Sequence, residues 1–201
     1  LGCFEESMQL QYEITKLFTS EFSIRAYIAG EYERTMERLA RWAHDPNEHV
    51  RRLVSEGTRS RLPWAARLPM FQSDPHPVVE LLELLKDDPS GYVRRSVANN
   101  LNDIAKDNPD VTIGVAKDWY SDDASPERKT LVRHGLRTLI KQGDPRALAV
   151  LGYAETSAIK LSDFTATPEE PMIGESVRVA VVATNTTDKS VRLLIDFAID
   201  F

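Results

Sequence analysis

Five arginines crowd one short stretch of this chain. Between Arg51 and Arg67 lie Arg51, Arg52, Arg59, Arg61 and Arg67 against a single acid, Glu56, while the 201 residues as a whole carry a formal net charge of −6. Local potential governs counterion release and steering more than net charge does, so a basic face on an acidic chain points to a polyanion site. Trp64 sits among Arg59, Arg61 and Arg67. Two readings stay open for it: a packing anchor near a helix start, favoured by its large area, or an aromatic platform against a deoxyribose or a base. Trp42 and Trp119 have less basic neighbourhoods and read as core.

A second concentration of polar chemistry follows. Arg95, Ser96, Asn99, Asn100 and Asp103 are separated by steps that keep them on one side of a helix, beside a buried stripe of Val93, Val97, Leu101 and Ile104. Arg52, Ser55, Glu56 and Arg59 form the equivalent edge upstream. Aligned, these edges make a groove that grips a phosphate backbone and brings acids near a sugar. They serve equally well as Arg-to-acid ladders between neighbouring helices, and Arg52 and Glu56 have simple i,i+4 spacing. Glu21 falls in the first turn expected of a helix capped by Thr19 or Ser20, where its carboxylate complements the helix dipole.

Metal and thiol chemistry find little material. The four histidines show neither HxxxH nor HxH spacing, and the one cysteine, Cys3, excludes an intrachain disulfide and reads as a semi-buried thiol. No run of eighteen apolar residues and no basic-then-apolar leader occurs, so a cytoplasmic setting is expected. The chain starts at Leu1 and stops inside an apparent strand, which suggests a piece of something longer.

The elements that position these residues follow from an internal repeat. Asp45-Pro46 recurs as Asp88-Pro89 and Val50-Arg51-Arg52 as Val93-Arg94-Arg95, both displaced by 43 residues, a period proper to HEAT and armadillo helix pairs. A looser third copy runs from Pro126 through Leu131-Val132-Arg133-His134 to Gly143, and Asp144-Pro145 opens the next helix. Upstream, one helix is expected over about 5–18 and another from 21, interrupted near Gly30. The stretch from Asp45 to Pro69 reads as a helix, a turn and a second helix carrying Trp64. The fold class is therefore mainly α: a HEAT-like helical-repeat solenoid over residues 1–155. After Tyr153 the pattern alternates, with Val177–Val182 and residues 191–199 as a hairpin around TNTTDKS and a shorter strand at Ile159–Thr165. Residues 156–201 thus read as the start of a partial, immunoglobulin-like β-sandwich.

The ordered blocks TSEFSIR (19–25), NEHVRRLVSEGTRSRLPWA (47–65), KDDPSGYVRRSVANNLNDIAKDNPD (86–110) and LVRHGLRTLIKQGDPRALAVLGY (131–153) resemble the AlkC branch of the AlkC/AlkD alkylpurine DNA glycosylases. The resemblance implies HEAT-like repeats wrapped on duplex DNA, excision of cationic alkylated bases such as 3-methyladenine and 3-methylcytosine without extrusion from the stack, and base excision repair by a monomer. It places catalytic carboxylates at Glu21 and Asp103, adds Glu56 and Trp64 to the site, and makes Arg52 a phosphate or site-ordering contact. Arg51, Arg59, Arg61, Arg94, Arg95, Asn99, Arg133 and Arg137 are then expected on DNA. No metal, flavin or nucleotide cofactor is implied, and some members of the branch carry a C-terminal immunoglobulin-like domain. The rivals are a DNA-binding module that has lost excision and a protein-binding HEAT scaffold.

Overall fold

A computed structural model describes residues 3–153, 159–191, 193 and 195. Two compact units divide the chain, Leu1–Val150 and Leu151–Phe201. The first is helical: α1 (Phe4–Leu17), α2 (Ile24–Gly30), α3 (Tyr32–Trp42), α4 (Glu48–Gly57), α5 (Pro69–Ser73), α6 (His76–Leu85), α7 (Gly91–Asp107), α8 (Pro109–Trp119), α9 (Pro126–Gly135), α10 (Arg137–Lys141) and α11 (Pro145–Val150). Helix α7 lies at its centre, packed against α4 on one side, α9 on the other and α8 behind. Val93, Val97, Leu101 and Ile104 of α7 and Val50, Leu53 and Val54 of α4 are fully buried at those contacts, as the sequence periodicity predicts. Trp42 and Trp119 join the core as expected.

The Asp-Pro…Val-Arg-Arg repeat turns out to be a structural device. Asp45 and Asp88 each accept the backbone N–H two residues on, from Asn47 and Ser90, both at 2.8 Å. Asn47 and Ser90 in turn cap α4 and α7 through His49 N and Tyr92 N. The first arginine of each block then hooks back onto its own turn. Arg51 Nη1 donates to the carbonyls of Asp45 (2.8 Å) and Pro46 (3.0 Å), and Arg94 Nη1 donates to those of Asp88 and Pro89. Arg51 also forms a two-pronged pair with Asp88, Nε–Oδ2 2.6 Å and Nη2–Oδ1 3.0 Å, so one repeat's arginine holds the next repeat's turn.

Several local expectations are corrected. The second helix begins at Ile24, because the Ser20 hydroxyl donates to the Gln11 carbonyl (2.9 Å) and ties this segment to α1 instead of capping a helix; Glu21 lies in a turn before α2. The interruption expected near Gly30 is present: α2 ends at Gly30, and Glu31 leaves helical geometry with φ −138° and ψ 58°. The single helix expected over 126–143 breaks at Leu136. Thr138 N donates to Asn102 Oδ1 of α7 (3.1 Å), and the His134 carbonyl receives the nearby Arg137 Nη1 (2.8 Å), so one tertiary and one local side chain replace a rung of the helix ladder. Trp64 is not helical: it has φ +61° within the 58–68 loop. Cys3 is exposed, not semi-buried.

In the second unit β1 (Ile159–Thr167) pairs antiparallel with β2 (Arg178–Asn185), Ile159 opposite Asn185 and Thr167 opposite Arg178, with an irregularity between Ser162 and Thr165. The described pairing therefore joins the first and second strands foreseen from sequence. The pairing expected with residues 191–199 falls largely outside the described residues.

Asp88→Ala should test the turn device. It leaves Arg51 half-buried without its carboxylate and should cost on the order of 3 kcal/mol in urea unfolding, whereas truncating the exposed Arg95 should change stability by less than about 0.5 kcal/mol.

Candidate active site

Helix α4 presents Arg52 and Glu56 along one edge, Arg59 of the following loop continues it, and the edge faces α7 on one side and the 19–23 turn on the other. One continuous chain of ion pairs results. Arg52 Nη1 donates to Glu21 Oε2 and, at 3.3 Å, reaches Thr19 Oγ1, whose own hydroxyl donates to the same Glu21 oxygen. Arg52 Nη2 lies 3.6 Å from Glu56 Oε1, which also accepts Arg59 Nη1 at 2.6 Å. Arg59 Nε continues to Asp103 Oδ2 at 2.8 Å, and Lys106 Nζ closes the chain on Asp103 Oδ1 at 2.9 Å. Ser96 donates to the other oxygen of Glu56 at 2.6 Å. Glu21 and Asp103, far apart in sequence, thus stand at two ends of one network with Glu56 at its middle.

Burial grades along the network. The Glu21 side chain keeps 13% of its surface, Glu56 8% and Asp103 only 1%. Burial pulls the Arg59 guanidinium down, but its bond to Asp103 and the fields of Glu56 and Asp103 outweigh this and hold it above the ordinary arginine value. The Arg52 guanidinium lies 5.3 Å from the Tyr92 ring centre, and His49 meets the same ring edge-on at 5.7 Å. Among the described residues no group of three or more His, Cys, Asp or Glu is placed to hold a metal ion.

Beside this cluster runs the 58–68 loop. Leu62 and Leu68 are buried and pin it, and Leu68 N donates to Ser60 O at 3.2 Å. Asn100 Nδ2 from α7 holds its start through Ser55 O (2.8 Å) and Thr58 Oγ1 (3.1 Å). Arg61 pairs with both oxygens of Asp107, which also accepts Gln72 Nε2 at 3.1 Å. At the tip Trp64 is 98% exposed, with the left-handed backbone that a tryptophan seldom adopts. The packing reading of Trp64 is excluded by that exposure; the displayed-platform reading is the one the geometry allows.

The basic residues expected on DNA separate into two sets. Arg51, Arg52, Arg59 and Arg61 all hold carboxylates, and Arg94 holds turn carbonyls. Arg95 and Arg133 are exposed and form no ion pair among the described residues. Arg137 is half-buried and faces no carboxylate within ion-pair distance; burial, partly countered by Asp103, lowers its pKa. His134 Nε2 lies 3.0 Å from Asn99 Oδ1. Together with Arg94, Arg95, Thr130 and Leu131, His134 lines a cleft of about 310 Å³ between α7 and α9. Arg25, Asp107 and His134 are the site-building residues that sequence reasoning did not single out, because the partners that give them their roles lie far away in sequence.

No family model matches the chain. A Bacillus subtilis (strain 168) protein designated uncharacterized protein YhaZ is 43% identical over 201 residues, all of this chain and 55% of that protein. Among solved structures, the Pseudomonas fluorescens alkylpurine DNA glycosylase AlkC bound to DNA containing an abasic site analog matches with a TM-score of 0.84 and 39% identity, over 92% of this chain and 51% of that one. The chain spans about half the length of these relatives. In class it is a helical-repeat fold similar to that of the alkylpurine DNA glycosylase AlkC. The likeness covers nearly the whole chain and agrees with the sequence blocks that resemble the AlkC branch.

Two outcomes follow from the geometry. Trp64→Gly should leave the fold as stable as wild type or raise it by up to about 1 kcal/mol in urea unfolding, since glycine accepts the left-handed backbone and no buried area is lost. His134 behaves differently: burial first, then Arg137 and Arg95, lower its pKa below the ordinary 6.5. The unfolded chain therefore takes up this proton at a higher pH than the fold does. Stability should be complete above the unfolded value and fall as pH drops from about 7 toward 5, with a shallower fall in His134→Gln.

Proposed function

We propose that the chain carries the base-excising centre of a monofunctional DNA glycosylase that acts on cationic alkylated bases, 3-methyladenine and 3-methylcytosine, in duplex DNA. The observation that carries this reading is the joining of Glu21, Glu56 and Asp103 in one arginine-bridged cluster, whose Arg59 lies in the loop that displays Trp64. The AlkC likeness supports it, because that protein is bound to DNA with an abasic site analog.

The chemistry suits acids without a general acid or a metal. An N3-methylated base already carries positive charge, so the C1′–N bond breaks with its electron pair going to the base, which leaves neutral. The sugar becomes oxocarbenium-like. Carboxylates held in a partly dry site stabilise that cation, and one of them orients the attacking water and accepts its proton. The same use of carboxylates appears in glycoside hydrolysis. Glu21, the more accessible acid, is assigned to the sugar and water. Asp103, deeper and held by Arg59 and Lys106, supplies field. Trp64 lies against the lesion or its sugar, where the ring face favours positive charge. Selectivity then comes from leaving-group reactivity, and the lesion need not leave the stack.

Arg95, Arg133, Arg137 and Asn99 are proposed as phosphate contacts, with Arg52 ordering the site. The β1–β2 pair is proposed to open an immunoglobulin-like domain, residues 156–201, that helps hold the duplex. A base-excision role for a monomer places the protein with the DNA, in the cytoplasm. A second reading, a DNA-binding module without excision, draws on one observation: every acid of the cluster is already paired and Asp103 is closed to solvent.

Methylated duplex DNA decides between them. The full-length protein should release free 3-methyladenine, and Asp103→Asn or Glu21→Gln, checked for folding by circular dichroism, should lower the single-turnover rate on the order of 10²-fold or more. No release by wild type, with duplex binding that weakens steeply in salt, would leave the binding module.

A further inference from the structure

Arg25 is a buried cation with an unusual set of partners. Only 6% of it is exposed, and among the described residues it forms no ion pair with any carboxylate. Its guanidinium instead donates to three backbone carbonyls: Nη1 to Gly57 O (3.0 Å) and Arg59 O (2.7 Å), and Nη2 to Ala66 O. Those acceptors have one thing in common. Gly57 ends α4 and Arg59 begins the 58–68 loop, while Ala66 lies just past its tip, so one planar fork spans both stems of the loop that displays Trp64. A guanidinium suits this task because its donors are fixed in one plane, while an ammonium reaches such acceptors only as a point charge.

The same arginine sits four residues after Glu21, on the first turn of α2. That helix is seated unusually close to α4: a Cβ added at Gly57 would lie 2.5 Å from Ile24 Cγ2. The close approach brings Arg25 under the loop. Trp64 itself buries nothing that would hold it, and its backbone is in a strained region, so the loop's shape must come from its stems. Arg59 enters the same arrangement from the other side, since its carbonyl accepts Arg25 while its side chain holds Asp103 and Glu56.

We infer that Arg25 is a positioning residue that clamps the 58–68 loop and fixes Trp64 relative to Glu21 and Asp103, an inference that rests on the glycosylase reading for its effect on rate. It touches no substrate. Its contribution is the register between the displayed ring and the carboxylates, where a misplacement near 1 Å costs on the order of 10²-fold in rate.

The test uses the full-length protein with Arg25→Lys, and Gly57→Ala as an independent variant that keeps Arg25 but forces α2 away from α4. Ile113→Ala, which opens a cavity on α8, a helix that contributes no residue to the carboxylate cluster or to the loop, serves as a stability control. Both clamp variants should lose on the order of 10- to 100-fold in single-turnover release of 3-methyladenine, with the Kd for a duplex carrying an abasic site analog little changed. Trypsin should also nick them faster after Arg61 and Arg67. The control should lower the thermal midpoint at least as far while its rate per folded molecule and its nicking stay near wild type. Wild-type rate and nicking in Arg25→Lys would overturn the inference, as would an equal loss in the control. If wild type releases no base, the glycosylase reading fails. The clamp is then judged on nicking and on the quenching of exposed tryptophan fluorescence by the duplex, and it falls if Arg25→Lys changes neither.

Discussion

The alternating ion chain from Glu21 through Arg52, Glu56 and Arg59 to Asp103 sets the terms for the rest of the helical unit. Taking charges of this kind out of water is costly, and their attraction offsets the cost only where geometry is good and the remaining lone pairs find donors. Here Ser96, Thr19 and Lys106 supply those donors. The network joins three separate pieces of chain, the 19–23 turn, α4 and α7, so removing one partner leaves a half-buried charge on another element. An apolar contact of equal area would have fixed the spacing of α4 and α7 just as well. It would not have placed three carboxylates along one edge.

The Trp64 loop shows the complementary constraint. Its stems are over-determined by Arg25, Asn100, the Arg61–Asp107 pair and two buried leucines, while its tip displays a large apolar ring in a disfavoured backbone conformation. Neither the strain nor the exposure improves the fold. Under the proposed function, a sugar, a base or a cation would meet that displayed ring face.

Which parts of this were legible in the sequence depends on the range of the interaction responsible. The buried stripe of α7 and the 43-residue repeat follow from local periodicity, and the structure keeps both. The errors arise where a distant partner overrides a local signal. Ser20 looks like a helix cap, but its hydroxyl is taken by Gln11 on α1. The helix through Leu136 looks continuous, but Asn102 intercepts Thr138. Pro63-Trp64 looks like a helix start, yet nothing in residue type announces a left-handed tryptophan. Arg25 was hidden for the same reason: its partners are the carbonyls of Gly57, Arg59 and Ala66, all distant in sequence. The convergence of Glu21 and Asp103 on Arg52 and Arg59 was reachable only through family resemblance, since no spacing rule links residues so far apart.

The arginine-rich stretch itself changes meaning once partners are assigned. As a string, Arg51 to Arg67 looks like a concentrated positive surface. In the fold Arg51 faces Asp88, Arg52 faces Glu21, Arg59 faces Glu56 and Asp103, and Arg61 faces Asp107. Four of the five guanidiniums are thus matched by an acid, so the stretch contributes less field than its composition suggests. Among the described residues Arg95 and Arg133 form no ion pair and Arg137 is only partly countered by Asp103, which puts positive charge at the edges of α7, α9 and α10. A duplex drawn by field alone would therefore meet the later repeats first and the carboxylate cluster second. Under the proposed function that separation has a physical advantage: phosphates held by the outer arginines would not compete directly with Glu21 and Asp103 for the inner ones. The acids would then keep their geometry while the backbone was gripped elsewhere.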